Sequence, residues 1–377
     1  MTHLAELEPR RRRHWLIAAP LAIVIALGVA WTALWFYAAG EAEKRLNDWQ
    51  EQQANGGRVF TCASRSVGGY PVRIEVTCAG AAAELKDAQP PIAIKLKQIL
   101  AVAQVWDPKL LIAEFTGPLT VAEPGQQPHV VASWSLAQAS VRGTPAVPER
   151  ASVVVAGLKL EGATAGQVLF DSKHAEFHAR VQYGSWPHNP AIDLAVKLAA
   201  AAAPTIHPIV AQPLDADIMA VLHGMKDFVG KPLPVRLREW QAAGGKLEVQ
   251  SARLAQAESL AHAKGTLALT QGGRLDGALQ LNVAGLEKFL PALTGERKGA
   301  PLSLDRAAPA LNAIDRAVPG LGARLAPQAQ NLAVGLLGLL GPPVEIEGKR
   351  GVTVPLRFTD GAASVGPIRL GQVPAAF

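Results

Sequence analysis

Val72-Arg73-Ile74-Glu75-Val76-Thr77-Cys78 alternates apolar and polar residues without a break. Successive side chains of a strand point to opposite faces, so this spacing predicts a β-strand. Val72, Ile74, Val76 and Cys78 would lie on its covered face, and Arg73, Glu75 and Thr77 in water. Gly68-Gly69-Tyr70-Pro71, immediately before it, reads as a turn.

The same period recurs along the chain. Ile92, Ile94 and Leu96 alternate with lysines, and Val130, Ala132, Trp134 and Leu136 repeat the pattern. So do Ile192, Leu194, Val196 and Leu198, then Leu279, Leu281 and Val283, then Val352, Val354, Leu356 and Phe358. Gly272-Gly273 and Asp360-Gly361 fall between such runs as hairpin turns. Helix signals are few. Residues 233–243 have a proline near their start and Gly244-Gly245 beyond their end. Residues 286–293 and 302–340 are further candidates, the second broken by Pro319 and Pro327. Residues 206–228 read either way, because Pro208 and Pro213 interrupt them. Residues 117–128 read as a Pro/Gly-rich loop, and 294–301 as another that could mark a soft boundary. The implied fold is mainly β (α+β): a long antiparallel, strongly curved sheet of amphipathic strands with a few helices packed on it.

One transmembrane helix is expected to precede that sheet. Arg10 to Arg13 run into an uncharged stretch, Trp15 to Tyr37, of 23 residues. As a helix it spans roughly 34 Å, enough for a hydrocarbon core of about 30 Å. Arginines favour the cytoplasmic side, and Trp31, Trp35, Phe36 and Tyr37 would form an aromatic belt at the far end. The competing reading is a cleaved secretory signal at Ala38-Ala39-Gly40, but signal cores are about 7–15 residues long. Arg12-Arg13 also fits a twin-arginine signal; all three readings export the rest of the chain. The organisation is then a basic cytoplasmic N-terminus at 1–14, a span at 15–38, a juxtamembrane helix at 39–57 and a β-rich periplasmic domain at 58–377.

Composition excludes some classes of function. The formal charge of +6 over 377 residues is too weak and scattered for a nucleic-acid footprint. The two cysteines, Cys62 on a short preceding strand and Cys78, flank one strand–turn–strand unit in the exported part. Disulfides persist there, and two cysteines allow a single intrachain pairing. Their spacing is poor for a metal.

His174, Glu176 and His178 invite a metal reading, since His at i and i+4 is a ligand spacing on a helix. Ala175, Phe177, Ala179 and Val181, however, alternate with them as the apolar set of a strand. Histidines four apart on a strand are roughly 13 Å from each other, too far to share one ion. His207 and His223 near Asp215 and Asp217 lack any accompanying nucleophile motif. No phosphate loop, serine elbow or paired-cysteine zinc pattern is present, so neither an enzyme nor a cofactor is expected.

Residues 12–120 resemble a family. The residues that carry the likeness are Trp15, Trp35-Phe36-Tyr37-Ala38-Ala39-Gly40, Trp49, Gly57-Arg58-Val59, Cys62, the run from Gly68 to Cys78, and Pro118-Leu119-Thr120. They are similar to an uncharacterised inner-membrane family of Gram-negative bacteria, domain of unknown function 2125. Gly273-Arg274-Leu275-Asp276-Gly277 echoes it after the match fades near residue 120. The resemblance implies no catalytic residue. In plan alone, an anchor followed by many amphipathic strands is similar to AsmA-like envelope proteins, which are thought to cradle lipids.

The expectation is a single-pass inner-membrane protein, N-terminus cytoplasmic, whose periplasmic sheet handles lipid. Ile74, Val76, Ile94, Leu96, Leu281 and Val283 are the candidate lipid-facing residues. The alternative is an interaction module that docks on another envelope protein through a sheet edge. The apolar run 332–340 would be a core helix, or a removable cover over the groove.

Overall fold

The computed structural model describes residues 15–143, 148–164, 166–182, 184–186, 190–206, 208–285, 341–365 and 368–377. The helix α1 (Trp15–Asn55) leads into β1 (Arg58–Thr61), β2 (Ser64–Gly68), β3 (Arg73–Leu85), β4 (Ile92–Gln104) and β5 (Asp107–Ala122). Next come β6 (Val130–Ser133), β7 (Leu136–Arg142), β8 (Arg150–Gly162), β9 (Val168–Val181), β10 (Ala191–Ala201) and β11 (Leu214–His223). After α2 (Leu233–Ala242) stand β12 (Lys246–Gln256), β13 (Ser259–Leu269), β14 (Leu275–Ala284), β15 (Pro343–Ile346), β16 (Lys349–Thr359), β17 (Ala362–Val365) and β18 (Ile368–Gln372).

The strands form one antiparallel meander, as the repeated alternation implied. β1 and β2 lie end to end along one edge of β3. β3, β4 and β5 pair in turn, and β6 and β7 lie end to end between β5 and β8. Pairing then runs in order from β8 to β14, and β16 takes the place beside β14. β15 and β17 share the outer edge of β16, and β18 pairs with β17. Residues 272–273 and 360–361 are the turns of β13–β14 and β16–β17, as their Gly-Gly and Asp-Gly pairs predicted.

A crease crosses the first half of this sheet. The registers on either side place Gly80, Lys97, Ser135, Gly157, Lys173 and Ala200 on one line, and none of the six has a ladder partner. Gly80 and Gly157 adopt φ +59° and +63°, and Ala200 φ +49°. A left-handed residue inside a strand offsets the side-chain alternation by one. The sequence carries the same offset. On β8 the apolar positions are Val153 and Val155 before Gly157, but Leu158 and Leu160 after it. On β4 they are Ile94 and Leu96 before Lys97, but Ile99 and Ala101 after it. At Gly80 and Gly157 the offset in the backbone cancels the offset in the sequence, so the apolar residues on either side of these glycines keep to one face. Glycine is suited to such positions because it lacks a Cβ. At Ala200 the strain is offset instead by the Asp215 carboxylate, which accepts a hydrogen bond from the Ala200 amide at 2.8 Å.

The crease also accounts for a stretch expected in a loop. Residues 117–122 belong instead to β5. Leu96 pairs with Leu119 and Gln98 with Thr116, so Gly117 and Pro118 together oppose Lys97 as a bulge. A bulge is where a strand tolerates proline, whose nitrogen cannot join the ladder. The Trp134 ring covers Gly117, and its indole N–H donates to the Phe115 carbonyl at 2.8 Å.

Two further expectations shift. The span and the juxtamembrane stretch form a single helix of 41 residues rather than two. Residues 206–228, whose prolines allow either reading, hold a 3-10 turn at Pro208–Ala211 and the strand β11. The candidates at 286–293, 294–301 and 302–340, including the apolar run 332–340, lie outside the described residues, as do Arg10 to Arg13 and His207.

α2, by contrast, falls where its Pro and Gly signals put it. Lys231 bridges Asp227 and Glu239, each at 2.8 Å, and Arg236 also binds Asp227. Lys231 first, then Arg236, holds the Asp227 carboxyl well below the usual carboxylate range. The Trp240 indole N–H donates to the His223 carbonyl at 2.6 Å, which ties α2 to the end of β11. A Cβ on Gly245 would collide with that indole. Gly245→Ala is therefore expected to cost about 1–3 kcal/mol by overpacking. Urea unfolding monitored by tryptophan fluorescence checks this.

Candidate functional site

The largest chemical feature of the sheet is a set of unbroken apolar rows. Residues paired across antiparallel strands project from the same face. One such row reads Val76, Ala101, Ala113, Ala139, Val153, Phe177, Val196, Ile218, Ala252, Ala263, Leu281 and Val354. It crosses twelve strands without a polar side chain. Two positions along, Ile74, Ala103, Leu111, Val141, Ala151 and Ala179 start a second row of the same kind. The row flanking the first on its other side faces the opposite way, and carries Glu114, Gln138, Glu176, Lys197, Asp217 and Arg253.

The apolar face is only partly covered. Val153 and Phe177, partners at its centre, are 41% and 43% exposed. Toward β16 it closes, where Val354 is 2% exposed. Among the described residues no large hydrophobic side chain is fully buried there or elsewhere, and the buried cluster is small: Leu260, Ala284 and Ile346.

The six candidate lipid-facing residues distribute over this surface. Val76 and Leu281 share the first row and Ile74 opens the second; Val283 pairs with Ala261 and Val352 in a further row. Ile94 and Leu96 lie across the crease, paired with Ala83 and Ala81. Leu96 and Val283 are buried at 8%, while the other four are half-buried. The more exposed Val153 and Phe177 were not among the six. Ser152-Val153-Val154-Val155 shows no alternation, so only the pairing with β9 reveals which face Val153 occupies.

The polar candidates are held in structural contacts. Glu176 sits between His174 and His178, accepting from both, with His178 Nε2 at 3.1 Å. His174 first, then His178, holds the Glu176 carboxyl below its usual range. His178 Nδ1 also lies 2.9 Å from the Ser152 hydroxyl. All of these stand on β9 and β8, on the polar side of the alternation. Asp215 serves the Ala200 amide, and His223 lies 3.6 Å from Glu248. Among the described residues no group of three His, Cys, Asp or Glu side chains is placed to hold a metal ion.

At one end the sheet is locked to α1. The Trp31 indole donates to the Pro71 carbonyl and the Trp35 indole to the Arg73 carbonyl, both at 2.8 Å. The Trp35 ring meets Tyr70 edge-on at 5.5 Å between centroids. Cys62 and Cys78 form a disulfide with a Cα–Cα distance of 5.4 Å. Cys62 lies between β1 and β2 rather than on a strand, so the bond fastens the broken edge strand to β3 beside the crease.

A family model described as an uncharacterised protein conserved in bacteria, DUF2125, matches residues 35–374. The chain belongs to the DUF2125 family. The match begins at Trp35, which bonds the first hairpin, and runs far past residue 120, the expected limit of the likeness. DUF2125 thus covers the whole described sheet. No curated protein matches the chain.

The disulfide closes a loop across 16 positions, so reducing it should lower stability by roughly 3 kcal/mol, measured by urea unfolding with and without reductant. His174→Ala and His178→Ala should leave metal content unchanged; stoichiometric zinc lost in either variant, read by elemental analysis, contradicts the polar-face assignment.

Proposed function

We propose that this protein is a membrane-anchored envelope protein whose creased sheet holds the acyl chains of lipids. The carrying observation is the apolar row of twelve strands with its open centre at Val153 and Phe177. Isolated exposed apolar residues need no explanation, but a contiguous exposed apolar surface favours a binding role. The ligand is an extended hydrocarbon, because the face offers length and little polar anchoring. The alanines in the row leave room for it.

α1 supports the membrane part. It contains an apolar stretch long enough to cross a bilayer, and only 6% of its most apolar window is buried, unlike a core helix. The basic N-terminus favours a cytoplasmic start, and the disulfide fits an oxidising compartment, so the sheet is assigned to the periplasm, with the inner membrane as the anchor's site.

Native mass spectrometry after gentle extraction tests the reading. Wild type should carry lipid, and Phe177→Asp should lose it while remaining folded. Val354→Asp, in contrast, would bury an unpaired carboxylate at a 2% exposed site and should destabilise by several kcal/mol. Lipid-free wild type together with unfolding of Phe177→Asp would mean the face is an ordinary core.

A further inference from the structure

Two hairpin turns carry large apolar side chains into solvent at the end of the sheet that touches α1. Tyr70 is 53% exposed, Val72 46% and Trp106 60%. The turns are joined, since the Val105 amide donates to the Val72 carbonyl. Their level relative to α1 is fixed by three bonds: Trp31 to Pro71, Thr32 to Tyr70 and Trp35 to Arg73. The turns therefore stand beside the last turns of the apolar stretch that ends at Tyr37, not above it.

From Trp15 to Trp31 the helix rises only about 24 Å, less than the roughly 30 Å of a hydrocarbon core. With α1 spanning the bilayer, Tyr70 and its neighbours are brought to the far membrane boundary. Aromatic rings with one polar end are favoured at that level. We propose that the turns at 69–72 and 105–106 form a lip seated in the bilayer interface on the sheet's side of the membrane. The inference rests on α1 being a membrane span and extends the acyl-chain reading. Val72, Ile74 and Val76 succeed one another at alternate positions leading into β3, so the apolar face begins at the lip. A chain could then leave the bilayer for the sheet without crossing water.

The full-length protein, its two native cysteines occupied by the disulfide, accepts a fluorophore at a single added thiol. Labels are placed by Trp106→Cys in the lip, Leu27→Cys in the span and Lys86→Cys in the turn at the opposite end of the sheet. Reconstitution is into phosphatidylcholine nanodiscs made from two lipids, one brominated near the headgroup end of its acyl chains and one near their methyl end. The expected result is several-fold stronger quenching at positions 27 and 106 than at 86. Quenching at 27 but not at 106 overturns the lip and leaves the anchor standing. Quenching at neither removes the anchor and the lip together. Val72→Cys, on the neighbouring turn, gives the same readout should the Trp106→Cys variant fail to fold.

Discussion

Strand register is the constraint on which this structure depends. A slip of one residue turns every side chain of a strand to the opposite face. In a meander this long a single slip would break the apolar surface and bury charge beside it, because Glu176, Lys197, Asp217 and Arg253 occupy the adjacent row. Two-residue turns hold the β4–β5 and β12–β13 hairpins in register. Where the chain itself needs an offset, at the crease, neighbouring strands take it at the same level. A lone offset would destroy the face; coordinated offsets preserve it.

Small side chains make the creased sheet feasible. Five of the twelve residues in the first row are alanine, which contributes little side-chain entropy loss and little bulk. A sheet built this way gains less from burial per residue than one filled with leucine, at about 25 cal/mol per Å² of apolar surface. The disulfide, the α2 clamp and the ties between Trp31, Trp35 and the first hairpin reinforce it from the edges. Each indole hydrogen bond is worth about 1 kcal/mol net, and more where water is excluded. Trp31 and Trp35 tie the first hairpin to α1, and Trp240 ties α2 to the end of β11, while Trp49 packs on Phe60 of β1 farther along α1.

Much of the fold was legible because alternation is local. Residues 72–78 announce a strand whatever they pair with, and the His174–Arg180 stretch separates from a helical metal site on period alone. The crease was not legible, because Gly80, Gly157 and Ala200 fall on one line only once the strands between them are aligned. The Gly-Pro pair at 117–118 resembles a loop for the same reason: its partner, Lys97, is distant in sequence. The apolar candidates were found where alternation was clean and missed at Val153, where three valines in succession conceal the face. Asp215 stands near two histidines in sequence and invites a catalytic reading; the strained Ala200 amide that it serves becomes its neighbour only through the β10–β11 pairing.

The joint between α1 and the sheet gives the apolar face a direction. Two of the three bonds between helix and first hairpin end on backbone carbonyls, which do not depend on side-chain rotamers in the turn. The edge strand next to α1 is bonded to β3 by the disulfide, and β3 carries the first members of both apolar rows. Rotation of the sheet relative to the helix would have to break these contacts together. An apolar face held at a set angle to an apolar helix cannot reorient freely to hide itself, so the proposed occupants of its open centre differ in what they demand of it. Of these, a hydrocarbon chain asks least of the face: no register, no polar partner, only length.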